Sequence, residues 1–124
     1  MQGVMIDTTP LIEKEHVDEF AHLYQLYKGC NKEIIDFIER YDFLLSILME
    51  APREIYRIFP RDDVKLELEL HHDPEEDYDE LFVVIKSPYL PLKARELMDR
   101  LGDEWFLNIM TQTRNKLCIT EEPL

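Results

Sequence analysis

In VKLELELHHDPEEDYDELFVVIKS, residues 64–87, apolar and polar side chains alternate from Val64 to His71. Val64, Leu66, Leu68 and Leu70 take one side of an extended chain, and Lys65, Glu67, Glu69 and His71 take the other. That pattern predicts a strand in a sheet covered on one face. LFVVIKS, residues 81–87, is more continuously apolar and predicts a more central strand. DPEEDYDE between them is polar, contains Pro74 and has hairpin-loop length. Residues 64–72 and 80–87 are therefore expected to pair antiparallel.

Upstream the period is helical. TTPLIEKEHVDEFAHLYQLYKGCN offers Thr9 as N-cap, Pro10 at the first helical position and Glu13 and Glu15 near the positive end of the dipole. Lys28-Gly29 stops that run. Asn31 caps a second helix, KEIIDFIERYDFLLSILMEA, whose apolar stretch Phe43–Met49 makes it the most buried element expected. Pro52 is expected to break it, leaving PREIYRIF as a short separate helix that ends before Pro60. Downstream, Pro91 starts a helix with Leu92, Leu97 or Met98 and Leu101 on one face, and Gly102 is its expected C-cap. DEWFLNIM reads as a second short helix or a bent continuation, and NKLCITEE as a last strand.

The order is helices, a β-hairpin, then helix and strand. It predicts an α+β fold with N-terminal helices packed on a small, mainly antiparallel sheet. A chain of 124 residues has the length of one domain, here 1–124, with a helical half at about 9–59 and the hairpin, helix and last strand at about 62–122.

The motifs DELFVVIKS, LKARELMDRLGDEWFLN and NKLCITEE together resemble a group of small, acidic, uncharacterised prokaryotic proteins. In that group an Asp-Pro acidic loop leads into a Leu-Phe-Val strand, followed by a Glu-Trp-(Trp or Phe)-Leu segment and a Lys-Leu-Cys-Ile strand. The resemblance spans about residues 60–122, and Phe106 stands where the other aromatic is more usual. It implies mainly the fold. Many such proteins look like halves of two-gene modules, including toxin–antitoxin-like ones, which implies a protein partner.

Charge narrows the function. Fourteen Lys and Arg against 27 Asp and Glu give −13, which repels phosphate backbones and anionic membranes. Direct nucleic-acid or membrane binding is not expected. No segment has the roughly 18 apolar residues of a membrane span, and the N-terminus has no signal pattern. Cys30 and Cys118 form no CxxC or Cys/His spacing, so reduced thiols and a cytoplasmic location are expected.

Two adjacent histidines, His71 and His72, precede six carboxylates among residues 73–80. On a strand they point to opposite faces and cannot close on one metal, with His72 expected at the buried edge in register with Leu70. The loop also lacks the ligand order and central Gly of an EF-hand. It reads as a solvated acidic turn; the alternative is a metal-dependent or acid/base site built on His71, His72 and Asp73. Glu13 with His16 and Glu19 with His22 are Glu-x-x-His pairs, but six residues on one helix rotate them by about 240° and prevent a shared centre. Cys30, at a helix N-terminus, sits where a thiol pKa can fall, whereas Cys118 reads as a core residue. Phosphate-loop, nucleophile-elbow and zincin motifs are absent.

SPYLPL sets Tyr89 and Leu90 between two prolines, the pattern of an exposed anchor. The expected function is therefore a non-enzymatic interaction module without cofactor: an acidic or antitoxin-like partner of a basic protein, or a homo-oligomer. Its candidate contact residues are Tyr89, Leu90, Trp105, Asp73, Glu75, Glu76, Asp77, Asp79 and Glu80.

Overall fold

The computed structural model describes residues 19–124. Thr9, Pro10 and the Glu13–His16 pair lie outside the described residues. Residues 19–26 are helical (α1), followed by α2 (Lys32–Arg40), α3 (Phe43–Ile58), β1 (Lys65–Asp73), β2 (Tyr78–Ser87) and α4 (Pro91–Leu101). A π-helical turn, Gly102–Phe106, leads through α5 (Leu107–Ile109) and the 3₁₀ turn Met110–Thr113 into β3 (Leu117–Pro123). The fold is α+β.

The sheet has the order β1-β2-β3. β1 and β2 form the expected antiparallel hairpin, with Leu66 opposite Ile85, Leu68 opposite Val83 and Leu70 opposite Leu81. β3 returns parallel to β2, placing Leu117 beside Leu81 and Ile119 beside Val83. The sheet is thus mixed, because the helical connection from Pro91 to Thr113 carries the chain back to the start of β2 before β3 begins. Leu66, Leu68, Leu81, Val83, Ile85, Leu117 and Ile119 join one apolar cluster with side chains from the helices.

Asn31 caps α2 as expected, its side chain accepting from Ile34 N at 3.0 Å. The break in the following helical stretch falls at Tyr41 and Asp42, between α2 and α3, and not at Pro52. Tyr41 leaves the helical region (φ −120°, ψ 67°), and its ring lies 4.9 Å from Phe37 and 6.2 Å from Phe43. Pro52 stands inside a continuous α3, whose buried positions include Leu44, Leu48, Ala51, Pro52 and Ile55.

A proline in a helix interior removes the N–H that would bond the carbonyl four residues back. Here that carbonyl belongs to Leu48, and the Tyr27 hydroxyl donates to it at 2.7 Å. Burial pushes the Tyr27 phenol far above its ordinary range, so it stays a neutral donor. The next residue, Lys28, docks on the edge of β1: its N–H donates to Leu66 O and its carbonyl accepts from Leu68 N, both at 2.8 Å. Gly29 follows at φ +80°, where an added Cβ would lie 2.7 Å from Leu68 O.

Two other expectations change. Gly102 is right-handed (φ −61°), so it continues the helix into the π turn instead of capping it. Leu92 is 83% exposed, and the buried face of α4 is Ala94, Leu97 and Leu101. The bend is pinned from two sides. Trp105 Nε1 donates to Glu50 Oε1 at 2.6 Å, while Glu104 accepts from Arg57 Nη1 at 2.9 Å and Arg100 Nε at 3.0 Å.

Tyr27→Phe is expected to cost about 1–2 kcal/mol, because it strands the buried Leu48 carbonyl. In a Pro52→Ala background the restored N–H reaches that carbonyl, and the same change should cost less than about 0.5 kcal/mol. Urea unfolding of the four proteins gives the coupling. Gly29→Ala is expected to destabilise by more than about 1 kcal/mol through the positive φ and the contact with Leu68 O. Thermal unfolding monitored by circular dichroism checks it.

Candidate functional site

The acidic hairpin is a defined turn. Asp73 Oδ1 accepts from Glu75 N at 2.9 Å and from Glu76 N at 3.4 Å, Pro74 supplies a pre-set φ, and Asp77 takes the left-handed conformation (φ 51°). Residues 71–77 are all exposed. Asp79 and Glu80 are half-buried where the turn rejoins β2. Glu75 and Glu76 have no ion-pair partner among the described residues.

The two histidines diverge. His71 lies 2.9 Å from Glu69 and stacks on Phe82 with ring centroids 4.3 Å apart. His72 Nδ1 makes a short hydrogen bond with Asp79 Oδ1, and its Nε2 is 3.9 Å from Asp77. His72 is not at a buried edge as expected: its side chain is 54% exposed, because the hairpin runs past the helices that cover Leu66 and Leu68. No group of three or more His, Cys, Asp or Glu side chains among the described residues is arranged to hold a metal ion.

The thiols are not activated. Burial raises the pKa of Cys30, the reverse of the shift expected at a helix N-terminus. Burial, and then the charge of Glu80, raise that of Cys118. Glu19 and His22 lie on α1, and His22 is exposed.

The Pro88–Pro91 segment forms one wall of an open groove of about 770 Å³, with Met98 of α4 and Pro123 and Leu124 of the C-terminal strand end among its other lining residues. Tyr89 is half-buried: its hydroxyl donates to Asp63 Oδ2 at 2.8 Å and its ring lies 6.4 Å from Phe59. Leu90 is 78% exposed. Trp105 is in the core and spends its N–H on Glu50.

The sequence reading did not single out the second face of the sheet. Glu69, Phe82 and Cys118 form one row across it, Glu67, Val84 and Thr120 another, and Lys65, Lys86 and Glu122 a third. Lys86 donates to Glu122 Oε1 at 2.8 Å, and with Glu67 and Glu69 near it its pKa is raised, first by that hydrogen bond. The signal was present in the alternation of β1, which assigns Glu67 and Glu69 to the uncovered face. Exposed Leu92 was also missed, since its place behind Pro91 resembles a core position.

No helix among the described residues is long and apolar enough to cross a membrane. No protein-family model matches the chain, and neither a curated protein nor a solved structure does.

The His72 pKa is raised above its ordinary value of 6.5, first by the hydrogen bond to Asp79 and then by the charges of Asp79, Asp77 and Asp73. A raised folded-state value means that protonated His72 stabilises the hairpin fully below the ordinary pKa. That contribution disappears as pH rises through the raised value. An NMR titration should give a His72 midpoint above 6.5, and Asp79→Asn should lower it.

Proposed function

We propose that the chain is a non-enzymatic binding module whose partner is a basic protein, in the manner of the acidic member of a two-protein pair. The observation that supports this reading is the projecting hairpin. The Asx turn at Asp73 ties down the backbone of Glu75 and Glu76, and the carboxylates of Asp73, Glu75, Glu76 and Asp77 stand in solvent. Glu67, Glu69, Glu80 and Glu122 continue the negative charge along the uncovered sheet face. Such an arrangement steers a basic surface and competes with a phosphate track for it. Leu90 and Leu92 stand exposed at the groove and the start of α4, where burial under a partner would stabilise a complex.

Charge and apolar contact act on different rates. Neutralising the turn with Glu75→Gln, Glu76→Gln and Asp77→Asn together should slow association with the partner by about tenfold at low salt and flatten its salt dependence. Leu90→Ala should leave association unchanged and speed dissociation by about three- to tenfold. The measurement is capture from a lysate of the source cells, identification by mass spectrometry, and surface plasmon resonance with the purified partner. Capture of no basic protein at low salt, or equal association rates for the parent and the neutralised turn, would count against the reading.

A further inference from the structure

One cleft carries the sign opposite to the molecule as a whole. His22 on α1, Arg53 and Arg57 on α3, and Arg61 just beyond α3 line a space of about 450 Å³, and no carboxylate is among its lining residues. Positions 49, 52, 53, 56 and 57 share one face of α3, and 22 and 26 share one face of α1, so helical spacing brings these side chains to the seam between the two helices. The cations differ in what they have left to give. Arg57 is committed, donating from Nη1 to Glu104 and from Nη2 to Glu54. Arg53 Nε stands 3.8 Å from Glu54, beyond hydrogen-bond reach, and its side chain is 77% exposed. Arg61 makes no ion pair among the described residues; its guanidinium lies over the Tyr56 ring, 5.0 Å from the centroid. Attraction to a ring quadrupole uses no acceptor oxygen, so the N–H groups of Arg61 stay free for an anion. His22 is exposed and has no partner among the described residues. Asp63, two positions after Arg61, accepts the Tyr89 hydroxyl instead. Leu26, Met49 and the buried Pro52 supply an apolar lining.

We propose that this cleft binds a small phosphate monoester, with the phosphate held by Arg53, Arg61 and His22 and the organic body resting on Leu26, Met49 and Pro52. Two guanidiniums and an imidazole offer more donors than the two oxygens of a carboxylate accept in one plane, and they suit the three terminal oxygens of a phosphate. The volume is that of a small-molecule site. A polyanion feels the whole field of a chain carrying −13, whereas a single phosphate within a Debye length of about 8 Å responds chiefly to the cations beside it. The cleft shares no residue with the acidic hairpin or the uncovered sheet face. The proposal therefore goes beyond the binding of a basic protein, and its failure would leave that reading untouched.

An NMR titration of the purified chain with phenyl phosphate tests it. The His22 ring signals and the Nε signals of Arg53 and Arg61 should move together and saturate, with Kd at or below about 1 mM at physiological ionic strength. Inorganic phosphate and benzoate should bind at least about threefold more weakly, since the first lacks the apolar body and the second the third oxygen. Arg53→Gln with Arg61→Gln should weaken phenyl phosphate by about tenfold or more, and His22→Gln by about threefold. Lys32→Gln with Lys93→Gln removes the same charge from exposed positions on α2 and α4 and should change binding by less than about twofold. Circular dichroism establishes that each variant is folded. Shifts that do not saturate, or equal losses in the arginine and lysine pairs, would overturn the site. Benzoate or inorganic phosphate binding as tightly as phenyl phosphate would overturn the ligand class.

Discussion

The carbonyl of Leu48 organises this molecule. Pro52 deprives it of its helical donor, and Leu48 is fully buried on α3, so water cannot serve. A buried carbonyl without a partner costs about 1–3 kcal/mol. Tyr27 meets the need with a neutral hydroxyl that burial keeps protonated. That bond fixes where α1 ends against α3. The next two residues then reach the sheet, Lys28 through two backbone hydrogen bonds to β1 and Gly29 through a conformation and a clearance that a Cβ would spoil. Three consecutive residues join the helix layer to one sheet edge, and the other edge keeps its backbone groups facing outward.

The parts of the fold legible in the sequence were those where one physical signal acts alone. Period-two alternation with an Asp-Pro turn placed the hairpin, and Asn31 placed the start of α2, because both rest on local geometry. Pro52 was misread because the usual rule weighs the lost hydrogen bond without a distant donor, and Tyr27 supplies one from 21 positions away. The true break at Tyr41–Asp42 has neither Gly nor Pro to mark it, and Tyr41 there sets its ring against its near neighbours Phe37 and Phe43. The parallel direction of β3 was equally hidden, since it depends on the path of the connection through the π turn, which Glu50, Arg57 and Arg100 hold by side-chain bonds.

The candidate site was legible as chemistry and only partly as geometry. The six carboxylates of residues 73–80 and the leucine between prolines could be named from their types and neighbours. Strand alternation assigned His72 to the covered side, but alternation decides only which face a residue takes. How far the helix layer extends over that face is a tertiary fact, and at His72 the layer has already ended. Trp105 shows the complementary limit: an aromatic beside two acidic residues reads equally as anchor or as core until Glu50 is found at its indole nitrogen.

The acidic surface has two physically distinct parts. On the sheet, Glu67 flanks Val84, which is 1% exposed although it lies on the uncovered face. The aliphatic stems of long polar side chains shelter such a residue while their charged heads remain in water, which restricts the positions those charges take. Lys86 is drawn into this face by Glu122 and the carboxylates of Glu67 and Glu69, so part of its charge is neutralised in place. On the hairpin, Glu75 and Glu76 have neither a sheltered stem nor a partner among the described residues, and their field extends freely into solvent. In the proposed binding of a basic protein, the field of the hairpin acts first at a distance, and the sheet, whose charges stand at the fixed spacing of paired strands, sets the register of the final contact.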